Sequence, residues 1–312
     1  MEFLMNILRA IASIRCPLLD TLFSLITHIG EETVFLALAI IVFWCVDKRQ
    51  GYFVLVTSLF GVLLQQAGKL ILRIPRPWVI DPDFPVVESA IAEATGYSCP
   101  SGHTMNTACS LGTIAAANPK KKWLSITLTV IIALVAFSRM YLGVHTLLDV
   151  GLSLILALGV VLLLRPVFAT EERFDKLMPV VTVVGVLAAL LYFVFALIVS
   201  SDTTLDPENV KSGLKNGATI LGATLGLIPT YLVDRFYTKF ETRGAWYVQL
   251  IKLIVGIAIV LGIKSGLSSP LVSLFGNEYV ARAVRYFLVV IFAGVLWPMS
   301  FKYLRRLENL KK

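Results

Sequence analysis

Residues 145–165 read HTLLDVGLSLILALGVVLLLR, an apolar run with a histidine and an aspartate near its start and an arginine at its end. A helix that crosses a bilayer needs about 20 mostly apolar residues. The run therefore predicts a membrane-spanning helix whose first turn carries two ionisable side chains, His145 and Asp149. Ionisable groups in such a position are costly to bury and usually have a function.

The rest of the chain continues this pattern. The 312 residues are 57% hydrophobic and 15% charged, and their mean hydropathy is +0.81, whereas soluble domains contain about 25% charged residues. The sequence therefore predicts an all-α, polytopic membrane helix bundle with about nine transmembrane helices. Residues 1–15 favour an amphipathic helix at the membrane interface. The eight further candidate spans are 29–46, 51–72, 101–117, 122–142, 177–200, 213–233, 247–267 and 280–300.

The loops on the two sides of the predicted bundle carry unequal numbers of Lys and Arg. One side has sixteen: Lys48, Arg49, Lys120, Lys121, Lys122, Arg165, Arg173, Lys176, Arg235, Lys239, Arg243, Lys302, Arg305, Arg306, Lys311 and Lys312. The other side has eleven: Arg9, Arg15, Lys69, Arg73, Arg76, Arg139, Lys211, Lys215, Lys264, Arg282 and Arg285. By the positive-inside rule the first side is cytoplasmic. The N-terminus is then outside, the C-terminus is cytoplasmic, and the Pro-rich loop 73–100 lies outside.

Three cations are predicted to meet on this outer side. Lys69 and Arg76 close the second span, and Arg139 ends the fourth. The planar guanidinium of Arg suits phosphate oxygens, and Lys acts as a point charge. Ser101 and Gly102 follow Pro100 at the start of the third span, where free N–H groups and the helix dipole attract anions. These five residues predict a phosphate-binding cradle.

Two of the three histidines in the chain accompany the cradle. His145 and Asp149 are four residues apart on the predicted helix, which places them on one face and within reach of each other. A carboxylate so placed fixes the tautomer of the imidazole and stabilises its charged form. We expect His145 to attack phosphorus, and His103 to protonate the leaving oxygen and later activate water. His28, Glu31 and Glu32 are candidates for the rim of the same pocket.

The ordered pattern K-x6-RP, PSGH and SR-x5-H-x3-D resembles the signature of the type 2 phosphatidic acid phosphatase superfamily. It is carried by Lys69, Arg76, Pro77, Pro100, Ser101, Gly102, His103, Ser138, Arg139, His145 and Asp149. The resemblance covers residues 30–170 and implies a phosphohistidine mechanism without a metal cofactor. It divides the chain into a phosphatase catalytic membrane core, 1–170, and a C-terminal transmembrane extension of the same unit, 171–312.

The leading interpretation is an integral membrane phosphatase of the cell membrane that hydrolyses a lipid phosphate on the extracytoplasmic side. Candidate substrates are phosphatidate-like lipids, phosphatidylglycerol phosphate, sphingoid phosphates, and undecaprenyl phosphate or pyrophosphate. The alternatives are a phosphatase for a soluble sugar phosphate, as in glucose-6-phosphatase, and a catalytically silent transporter or receptor of the same fold. The expected partners are the bilayer and the lipid substrate. The sequence does not indicate the oligomeric state.

Other functions receive little support from the sequence. The net charge of +8 is not arranged as a basic stripe with aromatic residues, so no nucleic-acid partner is expected. No Cys-x2-Cys motif or Cys/His cluster indicates a metal site. The sequence leaves open whether Cys16 and Cys99 form a disulfide.

Overall fold

Helices account for nearly all the regular structure of the chain. The computed structural model describes residues 1–305, and it contains no β-strand within them. The α-helices are α1 (Glu2–Ala12), α2 (Pro17–Thr27), α3 (Glu32–Ile41), α4 (Lys48–Leu72), α5 (Pro77–Ile80), α6 (Gly102–Ala117), α7 (Lys122–Tyr141), α8 (Leu147–Leu164), α9 (Glu171–Val199), α10 (Pro207–Val233), α11 (Trp246–Gly266), α12 (Ser268–Phe275), α13 (Glu278–Ile291) and α14 (Trp297–Leu304). The prediction of an all-α membrane protein is confirmed.

Seven helical stretches within residues 1–305 are long and apolar enough to cross a membrane, or eight if the bent pair α1–α2 counts as one span. The seven are Lys48–Ile80, Lys122–Tyr141, Leu147–Leu164, Glu171–Val199, Pro207–Thr238, Trp246–Gly266 and Glu278–Leu304. The predicted count of nine is not confirmed. Two of the nine predicted runs form the shorter helices α3, with 10 residues, and α6, with 16 residues.

The chain forms two compact units that alternate along the sequence. The first unit comprises Met1–Leu36, Phe53–Pro166 and Ala196–Gly213. The second comprises Ala37–Tyr52, Val167–Phe195 and the chain from Leu214 onwards. Every predicted site residue belongs to the first unit. The tail residues Arg306, Lys311 and Lys312, predicted to be cytoplasmic, lie outside the described residues.

In the first unit, the loop between α4 and α6 packs against the two N-terminal helices and the end of α7. Ala90 from this loop is buried with Tyr141, Leu142 and Val144, and Phe84 is buried with Met5 and Leu8 of α1. The guanidinium of Arg15 donates to the carbonyl oxygen of Tyr141 at 2.7 Å. These contacts hold the polar loop and the turn after α7 together, and so fix the surroundings of Arg139 and His145.

The second unit contains three five-residue π-helical turns, Val42–Val46, Asp234–Thr238 and Phe292–Leu296. Its helices pack closely where small residues meet. A Cβ atom added to Gly222 of α10 would lie 2.0 Å from the carbonyl oxygen of Ala283 in α13. Membrane helices commonly use small residues for such close contacts, since lipid tails provide no hydrophobic drive for their association.

Candidate active site

A tight turn after α7 joins Arg139 to His145. The amides of Val144 and His145 both donate to the carbonyl oxygen of Arg139, at 3.1 and 3.3 Å. Gly143 adopts a φ of +82° within this turn, a conformation that glycine tolerates and most residues do not. A Cβ atom at Gly143 would also lie 2.8 Å from the ring of Phe84. The turn therefore fixes the cation and the histidine relative to each other.

The prediction that His145 and Asp149 share a helix face is wrong for His145, which precedes the helix. Thr146 is the N-cap of α8, and it forms a capping box with Asp149 at the third helical position. The backbone N–H of Thr146 donates to Oδ2 of Asp149 at 2.7 Å. The capping box fixes the start of α8, because the extended backbone of Thr146 prevents the helix from continuing back to His145. His145 nevertheless remains near the carboxylate, with Nδ1 at 3.5 Å from Oδ2 of Asp149.

Ser98 is a part of this arrangement that the motifs did not indicate. Its hydroxyl donates to Oδ2 of Asp149 at 2.6 Å and lies 3.4 Å from Nδ1 of His145. Both Ser98 and Asp149 are completely buried. Oδ2 of Asp149 is thereby held by two donors, the Thr146 amide and the Ser98 hydroxyl. Sequence offered one signal for Ser98, its position two residues before Pro100 in the loop that enters α6.

Arg76 contacts the other nitrogen of the imidazole. Its Nη1 lies 3.0 Å from Nε2 of His145 and also donates to the Val144 carbonyl at 3.0 Å. Nε and Nη2 of Arg76 donate to the carbonyls of Gly96 and Thr95, at 3.0 and 2.8 Å. Lys69 donates to the same Thr95 carbonyl at 2.9 Å. The two cations thus hold the loop segment 95–96 beside His145.

The motif PSGH lies at the N-terminus of α6, where Ser101 is the N-cap and Gly102 is the first helical residue. Pro100 immediately precedes the cap, so Ser101 and Gly102 lie at the start of the helix, as predicted. The first intrahelical bond runs from the amide of Met105 to the carbonyl of Ser101. The amides before Met105 therefore have no intrahelical acceptor, as at every helix start. The Ser101 amide donates to the Asp149 carbonyl at 3.2 Å, which connects α6 to α8.

Several buried polar atoms of the site have no hydrogen-bond partner within residues 1–305. They are Nε and Nη2 of Arg139, Nε2 of His103 and Oδ1 of Asp149. Arg139 is completely buried, and its Nη1 donates to the hydroxyl of Thr27 at 2.6 Å. Buried polar atoms without partners are rare in proteins, and a catalytic role or a bound ion is among their explanations. His103 also experiences the positive charge of Arg139, Lys69 and Arg76.

The end of α2 and the segment that follows it contribute to the site through residues that the motifs did not include. Thr27 accepts the hydrogen bond from Arg139, and Gly30 approaches His103 so closely that a Cβ atom there would lie 2.7 Å from the Cβ of His103. Two of the predicted rim residues, His28 and Glu31, contact each other through Nδ1 and Oε1, and their role at the rim stays a prediction. No sequence signal marked Thr27, because a single threonine in an apolar helix has many ordinary explanations.

Two further observations limit the chemistry of the site. Burial raises the pKa of the Cys99 thiol to about 12, so this neighbouring thiol is not a thiolate nucleophile at neutral pH. All four cysteines are free, including Cys16 and Cys99. In the described part of the chain, no three His, Cys, Asp or Glu side chains are placed to hold one metal ion.

Comparison with known proteins gives matches along most of the chain. Residues 50–173 match the PAP2 superfamily, and residues 218–309 match the transmembrane extension of PAP2 superfamily phosphatases. Phosphatidylglycerophosphatase B of Bacillus subtilis (strain 168) is 33% identical over 162 residues, which are 47% of this chain and 74% of that protein. The chain belongs to the PAP2 superfamily. The family expected from the motifs is confirmed.

Two other PAP2 relatives extend the comparison. Sphingosine-1-phosphate phosphatase 1 of Rattus norvegicus is 26% identical over 211 residues, which are 66% of this chain and 46% of that protein. The crystal structure of the first transmembrane PAP2 type phosphatidylglycerolphosphate phosphatase from Bacillus subtilis is 28% identical. The match to it covers 55% of this chain and 84% of that chain, with a TM-score of 0.44.

Proposed function

We propose that this PAP2 protein is a lipid phosphatase whose nucleophile is Nε2 of His145. The observation that carries the proposal is the group of buried donors without partners, Nε and Nη2 of Arg139 and Nε2 of His103, near an imidazole whose Nε2 contacts Arg76. A phosphate group has the acceptor oxygens that these donors need. The roles of all eight predicted residues remain proposals.

The proposed reaction has two displacements at phosphorus. In the first, the lone pair on Nε2 of His145 forms a bond to phosphorus as the bond to the lipid oxygen breaks. His103 gives the leaving oxygen its proton. In the second, His103 takes a proton from water, the water oxygen bonds to phosphorus, and the phosphorus–nitrogen bond breaks. Inorganic phosphate leaves, and both histidines return to their starting states.

Asp149 and Ser98 act on the opposite nitrogen of the imidazole. Nδ1 of His145 faces Oδ2 of Asp149, so the proton resides on Nδ1 and the lone pair on Nε2 is available for attack. The 3.5 Å separation is longer than an ordinary hydrogen bond. Such contacts often shorten when substrate binds, and the positive charge that develops on the imidazole during attack favours that shortening here.

Lys69, Arg76 and Arg139, with the amides at the start of α6 near Ser101 and Gly102, stabilise charge on the phosphoryl oxygens. Arg76 has an additional task, because its Nη1 contacts Nε2 of His145. That contact must be exchanged for a phosphate oxygen before the nitrogen attacks phosphorus. Arg76 therefore holds the His145 imidazole in position before the substrate binds. Its Nη1 then donates a hydrogen bond to a phosphate oxygen of the substrate.

A lipid substrate is supported by the membrane-spanning helices and by the names of the relatives. Phosphatidylglycerophosphatase B and sphingosine-1-phosphate phosphatase 1 are both named for lipid phosphates. The choice among phosphatidate-like lipids, phosphatidylglycerol phosphate, sphingoid phosphates and undecaprenyl phosphates stays open. A soluble sugar phosphate is the second candidate, favoured only by the predicted nine-span layout.

The proposal also includes topology and cofactors. The excess of Lys and Arg in one set of loops supports a multi-pass cell-membrane protein with an outer N-terminus, a cytoplasmic C-terminus and an extracytoplasmic active site. The chemistry described above uses only side chains and backbone amides of the protein, so hydrolysis should persist in EDTA. Residues 1–170 would form the catalytic core, and 171–312 the extension.

Phosphate release by the purified protein tests the proposal directly. The panel should include phosphatidylglycerol phosphate, sphingosine 1-phosphate, phosphatidate, undecaprenyl pyrophosphate and glucose 6-phosphate, each with wild type and His145→Ala. We expect at least one lipid to be hydrolysed with a much higher kcat/KM than glucose 6-phosphate, and only by wild type. Equal or better hydrolysis of glucose 6-phosphate would promote the second candidate. No hydrolysis of any substrate would favour a silent member of the fold.

A further inference from the structure

The second unit contains a cavity of about 930 Å³ that belongs entirely to that unit and to none of the catalytic residues. Ligand-binding pockets typically measure about 300–1,000 Å³, so the size fits a lipid headgroup. Its walls come from the start of α4, the start of α9 and the segment from Tyr231 to Arg243. Five aromatic residues line it: Tyr52, Phe174, Tyr231, Phe236 and Phe240.

One residue that lines this cavity has a buried hydroxyl without a hydrogen-bond partner in the described part of the chain. The side chain of Tyr52 is only 2% exposed, it lines the cavity, and its hydroxyl has no hydrogen-bond partner within residues 1–305. The ring itself is well packed, with its centroid 5.5 Å from that of Phe174. A buried hydroxyl that makes no hydrogen bond costs stability. A ligand atom in the cavity would remove this cost.

Five acidic and five basic residues line the cavity, and the ion pairs among them leave three cations available to an anionic ligand. Two pairs of lining residues neutralise each other: Lys48 lies 3.0 Å from the carboxylate of Asp234, and Arg235 contacts Asp175. Glu241 is paired with Arg305 at 2.8 Å. Three lining cations have no ion-pair partner in the described part of the chain, and these are Arg49, Lys239 and Arg243.

The two remaining acidic residues of the lining already serve helix N-termini. A side-chain oxygen of Asp47 accepts from the amide of Gln50 at 2.8 Å, at the start of α4. Glu171 is in the first turn of α9, where the helix dipole favours a negative charge.

The backbone of Lys239 is a further indication of a binding site, because its φ of +41° is left-handed. Residues other than glycine that keep such a conformation are concentrated at functional sites.

Exposed aromatic residues indicate where this cavity lies in the bilayer. Phe236, which lines the cavity, is 60% exposed, and the nearby Tyr237 and Trp246 are 82% and 75% exposed. Exposed Trp and Tyr beside Lys and Arg are typical of the membrane–water interface. At that level the phosphate-bearing headgroups of lipids are the most abundant anions.

We propose that this cavity binds the headgroup of an anionic phospholipid, with Tyr52 donating to it and Arg49, Lys239 and Arg243 holding its negative charge. The site is separate from the catalytic cradle and takes a lipid that is not hydrolysed there. Each cation near a membrane surface contributes about 1 kcal/mol to the binding of anionic lipid. Removing all three should therefore lower the affinity on the order of 100-fold.

The test is the binding of phosphatidylglycerol to the full-length protein in phosphatidylcholine nanodiscs, measured by native mass spectrometry. The triple variant Arg49→Gln, Lys239→Gly and Arg243→Gln keeps the left-handed turn, because glycine tolerates it. The matched control replaces Lys120, Lys121 and Lys122 by Gln, three exposed cations at the start of α7. We expect the triple variant to lose bound phosphatidylglycerol and the control variant to retain it. Equal retention in both variants would overturn the proposal.

Two further comparisons identify the ligand and the site. Arg139→Gln disables the catalytic cradle, and it should leave phosphatidylglycerol retention unchanged; loss of retention would assign the lipid to the cradle. Tyr52→Phe removes the hydroxyl alone, and it should raise the melting temperature of delipidated protein while reducing the shift produced by phosphatidylglycerol. An unchanged shift would contradict a role for Tyr52. If glycerol 3-phosphate raised the melting temperature of the delipidated protein as much as phosphatidylglycerol does, the ligand would be a soluble phosphate and not a lipid.

Discussion

Nη1 of Arg76 lies 3.0 Å from Nε2 of His145. The same guanidinium donates to the carbonyls of Thr95, Gly96 and Val144. A single planar group thereby connects the loop before α6, the turn after α7 and the proposed nucleophile. This makes Arg76 the most connected of the three cations.

Arg76→Lys should separate this connecting function from charge alone. Lysine keeps the positive charge but has three donors in place of the guanidinium fork, so it cannot maintain all four contacts and hold a phosphate oxygen. We expect kcat/KM to fall at least ~100-fold, the range seen when one preorganised donor is removed from an active site. The control is Arg9→Lys, a half-exposed cation paired with Asp81, which should retain wild-type activity. A near-normal kcat/KM for Arg76→Lys would mean that charge suffices.

Ser98→Ala tests the orientation of Asp149. It removes the 2.6 Å hydrogen bond to Oδ2, and a hydrogen bond to a charged group contributes about 1.5–3 kcal/mol. We expect kcat to fall about 10- to 100-fold with little change in KM, since Ser98 supports the imidazole rather than the phosphate. Ser89→Ala, an exposed position in the same loop bonded to Ser24, is the matched control. A change in KM alone would show that Ser98 acts on substrate binding and not on the imidazole.

Much of this site follows from the order of charged residues along the chain. Spans alternate in direction, so Lys69, Arg76, His103, Arg139 and His145 are expected at one end of the bundle. The start of α8 could also be predicted from the sequence, because Thr146 and Asp149 have the spacing of a capping box. A helix that begins after Thr146 leaves His145 outside it. We assigned His145 to the helix because the i, i+4 spacing suited a catalytic pair.

Other features were not accessible from the sequence, because they depend on packing between distant segments. Thr27 meets Arg139 across 112 residues, and neither residue type predicts the other. The predicted count of nine spans is not confirmed, because α3 and α6 have only 10 and 16 residues. A helix needs about 20 residues to cross a bilayer. Apolar composition identified both runs, but it did not give the length of the helix within each.

Thr27→Val tests whether the N-terminal helices help to position Arg139. The substitution keeps the shape and removes the acceptor of the 2.6 Å hydrogen bond from Nη1. The loss of one such bond weakens an interaction by about 1 kcal/mol. We therefore expect about fivefold weaker competitive inhibition by vanadate and a raised KM. Thr21→Val, in the exposed part of the same helix and bonded to Pro17, should change neither. Unaltered inhibition in Thr27→Val would exclude this positioning role.

Gly30→Ala tests the close approach of this segment to His103. A Cβ atom there would lie 2.7 Å from the His103 Cβ and 2.9 Å from its carbonyl oxygen, so the helix start must move. Displacements of about 1 Å in an active site can reduce rates about 100-fold, and we expect a loss of that order in kcat. Gly151→Ala is the control, since a Cβ atom there meets nothing within 4 Å. Full activity in Gly30→Ala would show that the segment adapts without disturbing His103.

The proposed mechanism requires that phosphate is transferred to Nε2 of His145. Rapid acid-free quenching during turnover of a labelled lipid phosphate, followed by peptide mapping, measures this transfer. We expect acid-labile, base-stable label on His145, no label in His145→Ala, and slower labelling in Asp149→Asn, which cannot stabilise the imidazolium. Label on His103 or any other residue, or continued lipid hydrolysis by His145→Ala, would contradict it.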